Sequence, residues 1–543
     1  MKITEFNLNN RPRLKRFYFH LFLTFFFIII VSLLLIVNYF YTFSMIPLTS
    51  ENAMPALVAK LFIENPTSLH EWVFPPDNFL FLDSLLSLIT NCLVGFGPAS
   101  VRLSSIIIFY MSVFMAVSTM VLIGNKNNIA RYIIVILAFF GLPLSSDKSL
   151  ITFAEYTPDH LSTVIVTLVC FLLAANIISK EAIISRSFDY FIYIILSLSI
   201  YISDRLSFFI CLVPIFLVII INKPSKRAFA FLTVTIGIAI ISFLIIKENL
   251  LFTTINIPSR FVTYALFYEN IKHEIYYLTL LFGADFWGQR VNPITLTSAL
   301  RMALFIPTIY YLYALGKTIF SLKNNQMYAG SYNYRKNIFF QLLLLSIIID
   351  IMATLFSNVF YLYGSYSNSD IRYIFPIIYF GAILVGLNYR SKHLDYFFLV
   401  ILVTTALCNM SSVEKTYTDY SYNYTSICNV IESHGYKYGF APYWYGNILT
   451  LTSKGKLLVE PISFSGNKLP IKISGFDGKL NAVWNSNIAM FNNIKARKFF
   501  FVTDTGSVGD ITTSQVEAVF GHPKELVDVP GAKILFYVLQ SGS

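Results

Sequence analysis

Residues 11–55 read RPRLKRFYFHLFLTFFFIIIVSLLLIVNYFYTFSMIPLTSENAMP. Arg11, Arg13, Lys15 and Arg16 precede an apolar run from Phe17 to about Tyr41, and a carboxylate, Glu51, follows a few residues beyond it. The run is too long for a signal-peptide core and lacks a small-residue cleavage site, so it reads as a first membrane span with its basic end held in the cytoplasm. The next stretch, about 42 to 98, has Lys60 as its one basic Lys or Arg and carries Glu51, Glu64, Glu71, Asp77 and Asp83. That asymmetry places it outside.

The rest of the chain repeats the theme. Of 543 residues, 56% are hydrophobic and 13% charged, about half the roughly 25% charge of soluble proteins. This excludes a soluble enzyme of this length, and also intrinsic disorder, which needs low hydrophobicity and high charge. Five cysteines are too sparse for a secreted disulfide scaffold. The net charge of +11 does not indicate a nucleic-acid partner, because much of the excess Lys and Arg lies in short segments between apolar blocks, where it orients a membrane protein.

Alternation of apolar blocks and basic loops predicts about eleven transmembrane helices. After 17–41 these are 102–123, 132–144, 161–178, 190–203, 206–222, 228–246, 296–319, 338–355, 373–387 and 397–409. Residues 78–96, apolar but borderline in length, are expected to lie along the outer membrane face. Residues 247–293 form a long outer segment. The fold class is therefore a polytopic all-α membrane protein with a small α/β or mixed outer domain at its C-terminus. Its expected divisions are a cytoplasmic N-terminus (1–16), a transmembrane domain (17–410, first outer loop about 42–101) and an outer domain (411–543). In the last, Leu457 to Phe464, Lys498 to Val502 and Lys533 to Val538 read as strands between turn-forming glycines and Pro530.

None of the soluble-enzyme signatures stands out: there is no GxxxxGK[ST] phosphate loop, no HExxH and no CxxC pair. Seven scattered histidines do not suggest a metal cage, so neither metal nor cofactor is expected. The candidates are polar residues at the outer face. Glu51, just beyond the first span, is either a general base fixed on a helix end or a solvated loop acid or helix cap. Asp77 follows Pro75-Pro76. Glu155, Asp159 and His160 share a second outer loop, where Asp159 is equally placed to cap the following helix. Asp204-Arg205 sits in a tight hairpin and is expected to neutralise itself. Asp285 is a further outer acid. Arg102 is expected to anchor to lipid headgroups, and Arg372 either anchors or binds an anion. Tyr443 and Trp444 form an aromatic turn that either packs a core or stacks on a sugar.

The order of these features resembles membrane glycosyltransferases of the GT-C fold, such as lipid A aminoarabinose transferases and protein O-mannosyltransferases. The resemblance rests on an acid after span one, a long outer loop with Pro75-Pro76 leading into an interfacial segment, and Phe96-Gly-Pro-Ala-Ser-Val-Arg102-Leu-Ser104 opening span two. An acid in the second outer loop and Arg372-Tyr373-Ile-Phe-Pro376 complete it. The match covers about residues 17 to 410. Within that group the chain is most similar to bacterial serotype-converting O-antigen glucosyltransferases, through Gly439-Phe-Ala-Pro-Tyr443-Trp444-Tyr-Gly-Asn447 and Gly455-Lys-Leu-Leu-Val-Glu-Pro461. It departs from them in carrying Glu51 where Asp is usual.

The resemblance implies an inverting transfer of a hexose, glucose by likeness, from a polyprenyl-phosphate sugar to a lipid-linked O-antigen or other surface polysaccharide. It implies a bacterial inner-membrane location, with a donor synthase and a flippase as functional partners. By the same likeness Glu51, Glu155 and Asp159 are the catalytic candidates. Arg372, Arg205 and Tyr373 would hold the donor phosphate, and Asp77, Tyr443 and Trp444 the acceptor. The rival readings are a transporter or flippase, which would show internal repeats and broken spans at mid-membrane, and an O-antigen polymerase, which would carry a large basic loop between late spans.

Overall fold

The structure, a computed structural model, describes residues 48–75, 77–140, 160–179, 186–222, 226–254, 260–321, 331–361, 368–388, 391–413, 422–464, 469–471, 480–482, 486–487, 498–504 and 511–538. The expected first span, and the candidates Glu155 and Asp159, lie outside the described residues.

Helix α1 (Ser50–Glu64) begins where the sequence supplies a reciprocal cap. Thr49 Oγ1 accepts from the Asn52 N–H, and Asn52 Oδ1 accepts from the Thr49 N–H at 2.9 Å, which satisfies donors that a helix start leaves open. Glu51 therefore occupies the first turn, where the helix dipole favours an anion. A short strand, β1 (Trp72–Phe74), leads to α2 (Leu82–Val94). Leu85, Ile89 and Leu93, four residues apart, are exposed, while the polar face turns inward: Asn91 donates to the Ala56 carbonyl and Thr90 bonds Ser104. Polar-in and apolar-out is the pattern of a helix facing lipid. At about 20 Å long, α2 is too short to span, which agrees with its expected place along the membrane surface. Gly95, at φ 81°, turns the chain from α2 into the next helix at a backbone angle that side chains resist.

The bundle follows: α3 (Pro98–Ile123), α4 (Ile129–Phe140), α5 (Leu161–Ile178), α6 (Arg186–Ser203), α7 (Val213–Ile221) and α8 (Lys226–Lys247). Strand β2 (Thr253–Thr254) precedes α9 (Tyr264–Leu281), α10 (Pro293–Met302), α11 (Phe305–Ser321), α12 (Ser331–Phe356), α13 (Phe375–Asn388) and α14 (Lys392–Val413). Among the described residues, five stretches are long and apolar enough to cross a membrane: 98–123, 161–178, 226–247, 334–356 and 370–388. The last is 89% buried within the protein, so α13 runs through the centre of the bundle. Its Tyr379 hydroxyl donates to the Ser112 carbonyl of α3 at 2.8 Å.

One expectation needs revising. The single span foreseen at 296–319 is two helices, α10 and α11, separated at 303–304. The break coincides with buried Arg301, whose guanidinium donates to the carbonyls of Phe282 and Phe139, contacts that no local pattern announces. The segment 247–293, expected outside, contains the 18-residue α9, capped by Thr263 and buried along Asn270, Glu274 and Tyr277.

Beyond α14 the structure changes type. Helix α15 (Tyr422–Ser433), β3 (Tyr438–Ala441), α16 (Gly446–Thr452), β4 (Leu458–Ser463), β5 (Leu469–Ile471), β6 (Leu480–Ala482), β7 (Ser486–Asn487), β8 (Lys498–Asp504), α17 (Thr513–Phe520), β9 (Glu525–Val529) and β10 (Ala532–Val538) form a small mixed unit. Seven strands lie in the order β5-β6-β4-β3-β8-β10-β9, with β3 parallel to β4 and β8 and the remaining pairs antiparallel. Both faces are covered. Phe500, Val502 and Ile534 pack with Ile431 of α15 and Leu449 of α16, while Phe499, Phe501 and Tyr537 pack with Val516 and Phe520 of α17. The strands predicted at 457–464, 498–502 and 533–538 are β4, β8 and β10.

This unit is joined to the first loop. Strand β1 pairs in parallel with β2 (Val73 with Thr253) and antiparallel with β7 (Trp72 with Asn487). Helix α16 packs on α1, where the Ile448 N–H donates to Ser50 Oγ at 3.4 Å. Gly446 permits the approach of α16 to β4, because a Cβ there would lie 2.8 Å from the Pro461 nitrogen.

Candidate functional site

The first turn of α1, the 3₁₀ turn Asn368–Ile374 before α13 and the start of α16 converge at one end of the bundle. Arg372 Nη1 donates to Glu51 Oε1 at 2.8 Å, each side chain keeping about a fifth of its surface exposed (20% and 21%). Both groups are thus shielded yet reachable. Thr49 and Asn52 cap α1, leaving the Glu51 carboxylate to the guanidinium. Arg372 also stands over the ring of Tyr373, 5.4 Å from its centroid.

The second cluster begins on the other side of Tyr373. Its ring lies 4.8 Å from that of His160, and Phe79 meets His160 edge-on at 5.2 Å. His160 Nδ1 and Asp204 Oδ2 are 2.6 Å apart, and Thr163 Oγ1 donates to the same oxygen at 2.5 Å. Asp204 Oδ1 accepts the Leu206 N–H at 2.8 Å. Asp77 Oδ1 accepts the Arg205 N–H at 3.2 Å. Burial, and then the neighbouring Asp204 carboxylate, hold the Asp77 carboxyl above the ordinary carboxylate range. A line of contacts therefore runs Glu51, Arg372, Tyr373, His160, Asp204, with Asp77 close to the last two.

The structure brings some of the candidates together and gives others different surroundings. Glu51, Arg372 and Tyr373 are brought together. Asp77 joins His160 and Asp204, so it lies with the hairpin acid. The foreseen neutralisation within Asp204-Arg205 gives way to different bonds: Asp204 accepts from Thr163 and Leu206 and pairs with His160, because α5 and α6 pack side by side. Arg205 is electrostatically coupled to Asp77. Arg102 is buried, 5% exposed, and is no headgroup anchor, since the start of α3 is enclosed by α1 and α2. Tyr443 and Trp444 meet edge to face at 4.9 Å at the start of α16, with Trp444 exposed. Asp285 lies beside the stacked pair Phe286–Trp287. Two further acids, Glu274 on α9 and Asp350 on α12, are buried and had not been singled out. Asp350 was legible as an acid within the apolar run Ser346-Ile-Ile-Ile-Asp350-Ile-Met352, a costly placement that usually signals a role.

No protein-family model matches the chain, and no curated protein matches it. Among solved structures the chain is similar to ArnT from Cupriavidus metallidurans in the apo state, with a TM-score of 0.49 and 9% sequence identity over 94% of this chain and 98% of that one.

Proposed function

We propose that the chain is an inverting membrane glycosyltransferase that moves a hexose from a polyprenyl-phosphate sugar to a hydroxyl of a lipid-linked O-antigen or other surface glycan at the outer face of the bacterial inner membrane. The observation that carries this reading is the meeting of Glu51 and Arg372, 321 residues apart in sequence, beside a helix, α2, that turns its apolar face outward. A base and an anion-binding guanidinium at a lipid-facing edge suit a reaction whose donor is a lipid phosphate.

In this reading Arg372 exchanges Glu51 for the donor phosphate. A planar guanidinium binds phosphate oxygens in pairs, and the exchange frees the Glu51 carboxylate to accept the proton of the acceptor hydroxyl. The hydroxyl oxygen forms a bond to the anomeric carbon as that carbon's bond to the phosphate oxygen breaks. The electron pair leaves on the polyprenyl phosphate, and the configuration inverts. Arg372 stabilises the charge that develops on the leaving group. Tyr373 holds the guanidinium from beneath by a cation–π contact. Tyr443 and Trp444, at the head of the helix that docks on α1, would receive the acceptor sugar. Arg205, Glu155 and Asp159 complete the set of candidates, and a donor synthase and a flippase would supply the donor.

Mass analysis of surface polysaccharide with and without the chain tests the reading. Gain of one hexose per repeating unit is the expected result, and an unchanged glycan would remove the proposal.

A further inference from the structure

His160, Asp77 and Asp204 come from three separate segments: the head of α5, the loop after β1 and the hairpin after α6. Each offers one ligand atom, and these atoms all lie within 4.8 Å of one another. His160 and Asp204 are almost wholly buried, at 1% and 0% exposure. The imidazole is clamped between the rings of Phe79 and Tyr373, which fixes the direction of its nitrogens as a ligating histidine requires.

A second observation concerns charge. Asp350, on α12, is fully buried, and among the described residues neither of its carboxylate oxygens has a hydrogen-bond partner. The carboxylates of Glu274 and Asp204 both act on it electrostatically. Asp204 thus interacts electrostatically with half-buried Asp77 and with buried Asp350, beside His160 and the Arg205 side chain. Buried carboxylates without matching positive charge are costly; the region calls for a cation or for bound protons.

We propose that His160, Asp77 and Asp204 bind one divalent transition-metal ion. One imidazole nitrogen with two carboxylates suits Mn²⁺ or Zn²⁺ better than the all-oxygen shells of Mg²⁺ or Ca²⁺. On binding, His160 ligates as the neutral imidazole, and the proton shared between its Nδ1 and Asp204 leaves to solvent. The ion ties together the head of α5, the hairpin after α6 and the first loop. It stands one ring, Tyr373, away from Arg372. The proposal does not depend on which reaction the site performs.

The test uses the purified full-length chain in detergent, stripped with EDTA and dialysed against MnCl₂ or ZnCl₂. Wild-type chain is expected to retain about one equivalent of Mn²⁺ or Zn²⁺ by elemental analysis, with Mn²⁺ also seen by electron paramagnetic resonance, and to melt at a higher temperature with the ion than without it. Asp77→Asn, at a half-buried position that tolerates the amide, and Asp204→Asn should each weaken binding on the order of 100-fold. Asp528→Asn, on exposed β9, should bind as wild type does. A wild-type chain that retains no stoichiometric metal would overturn the proposal, because protons then neutralise the cluster. Undiminished binding by monodisperse Asp77→Asn would overturn it equally.

Discussion

Arg372 and Glu51 face each other at 2.8 Å across 321 residues of chain, the guanidinium delivered by the 3₁₀ turn before α13 and the carboxylate by the first turn of α1. Both elements are held from behind. The span that includes Arg372 and α13 is the most enclosed of the five candidate spans, and α1 is pinned by Ser50 to α16. The pair is therefore positioned by the frame of the protein. An ion pair that keeps a fifth of its surface in solvent contributes on the order of 1 kcal/mol to stability, so its presence at this end of the bundle is better explained by what the two groups do.

Arg372→Ala is expected to raise the donor concentration needed for half-maximal transfer by about 10- to 100-fold, since a hydrogen bond to a charged group is worth about 1.5–3 kcal/mol. Arg372→Lys restores the charge without the fork and should recover part of the loss. Steady-state kinetics with varied donor at fixed acceptor decide the matter. Unaltered donor dependence in Arg372→Ala would remove the phosphate-binding assignment.

Trp444 is exposed at the head of α16, so its truncation should leave the fold intact. Trp444→Ala is expected to weaken acceptor use several-fold with little change in donor dependence. Varied-acceptor kinetics check this, and a donor effect as large as the acceptor effect would contradict it.

Glu460 on β4 is buried and accepts the Asn487 N–H at 3.2 Å. Burial pushes its carboxyl up to about 8, only partly offset by that hydrogen bond. The folded state then holds a proton that the unfolded chain, near its ordinary value of 4.5, has lost. Between those values the folded state binds more protons, so this group's contribution to stability is fully present below the unfolded value and declines as pH rises toward about 8. The full chain should melt at a lower temperature near pH 8.5 than near pH 6, and Glu460→Gln should shrink that difference. An equal difference in the two proteins would show that Glu460 is not its source.

Much of the bundle was readable from apolar blocks. Helix α5 spans the predicted residues, and α2 lies in the segment assigned to the membrane surface because it is borderline in length and a crossing there would spoil the alternation of the later basic loops. Short apolar runs between turn-forming residues likewise marked β4, β8 and β10. What stayed hidden depends on distant packing. The interruption between α10 and α11 follows Arg301 into contact with carbonyls of Phe282 and Phe139, far away in sequence. Asp204 and Arg205 are neighbours whose charges invite pairing, yet the packing of α5 against α6 hands Asp204 to His160. Arg102 resembled a headgroup anchor because its enclosure by α1 and α2 leaves no local trace. The pairing of Glu51 with Arg372 brought together two residues that had been assigned separate duties.

The account rests on the Glu51 carboxylate taking a proton from the acceptor. The most direct measurement is hexose transfer by purified, membrane-reconstituted chain supplied with a polyprenyl-phosphate hexose and acceptor glycan, comparing wild type with Glu51→Gln. The amide keeps the shape and a hydrogen bond to Arg372 but cannot act as the base, so the account predicts a fall of about 10²- to 10⁴-fold in a protein that inserts and melts normally. Transfer by Glu51→Gln at the wild-type rate would contradict it.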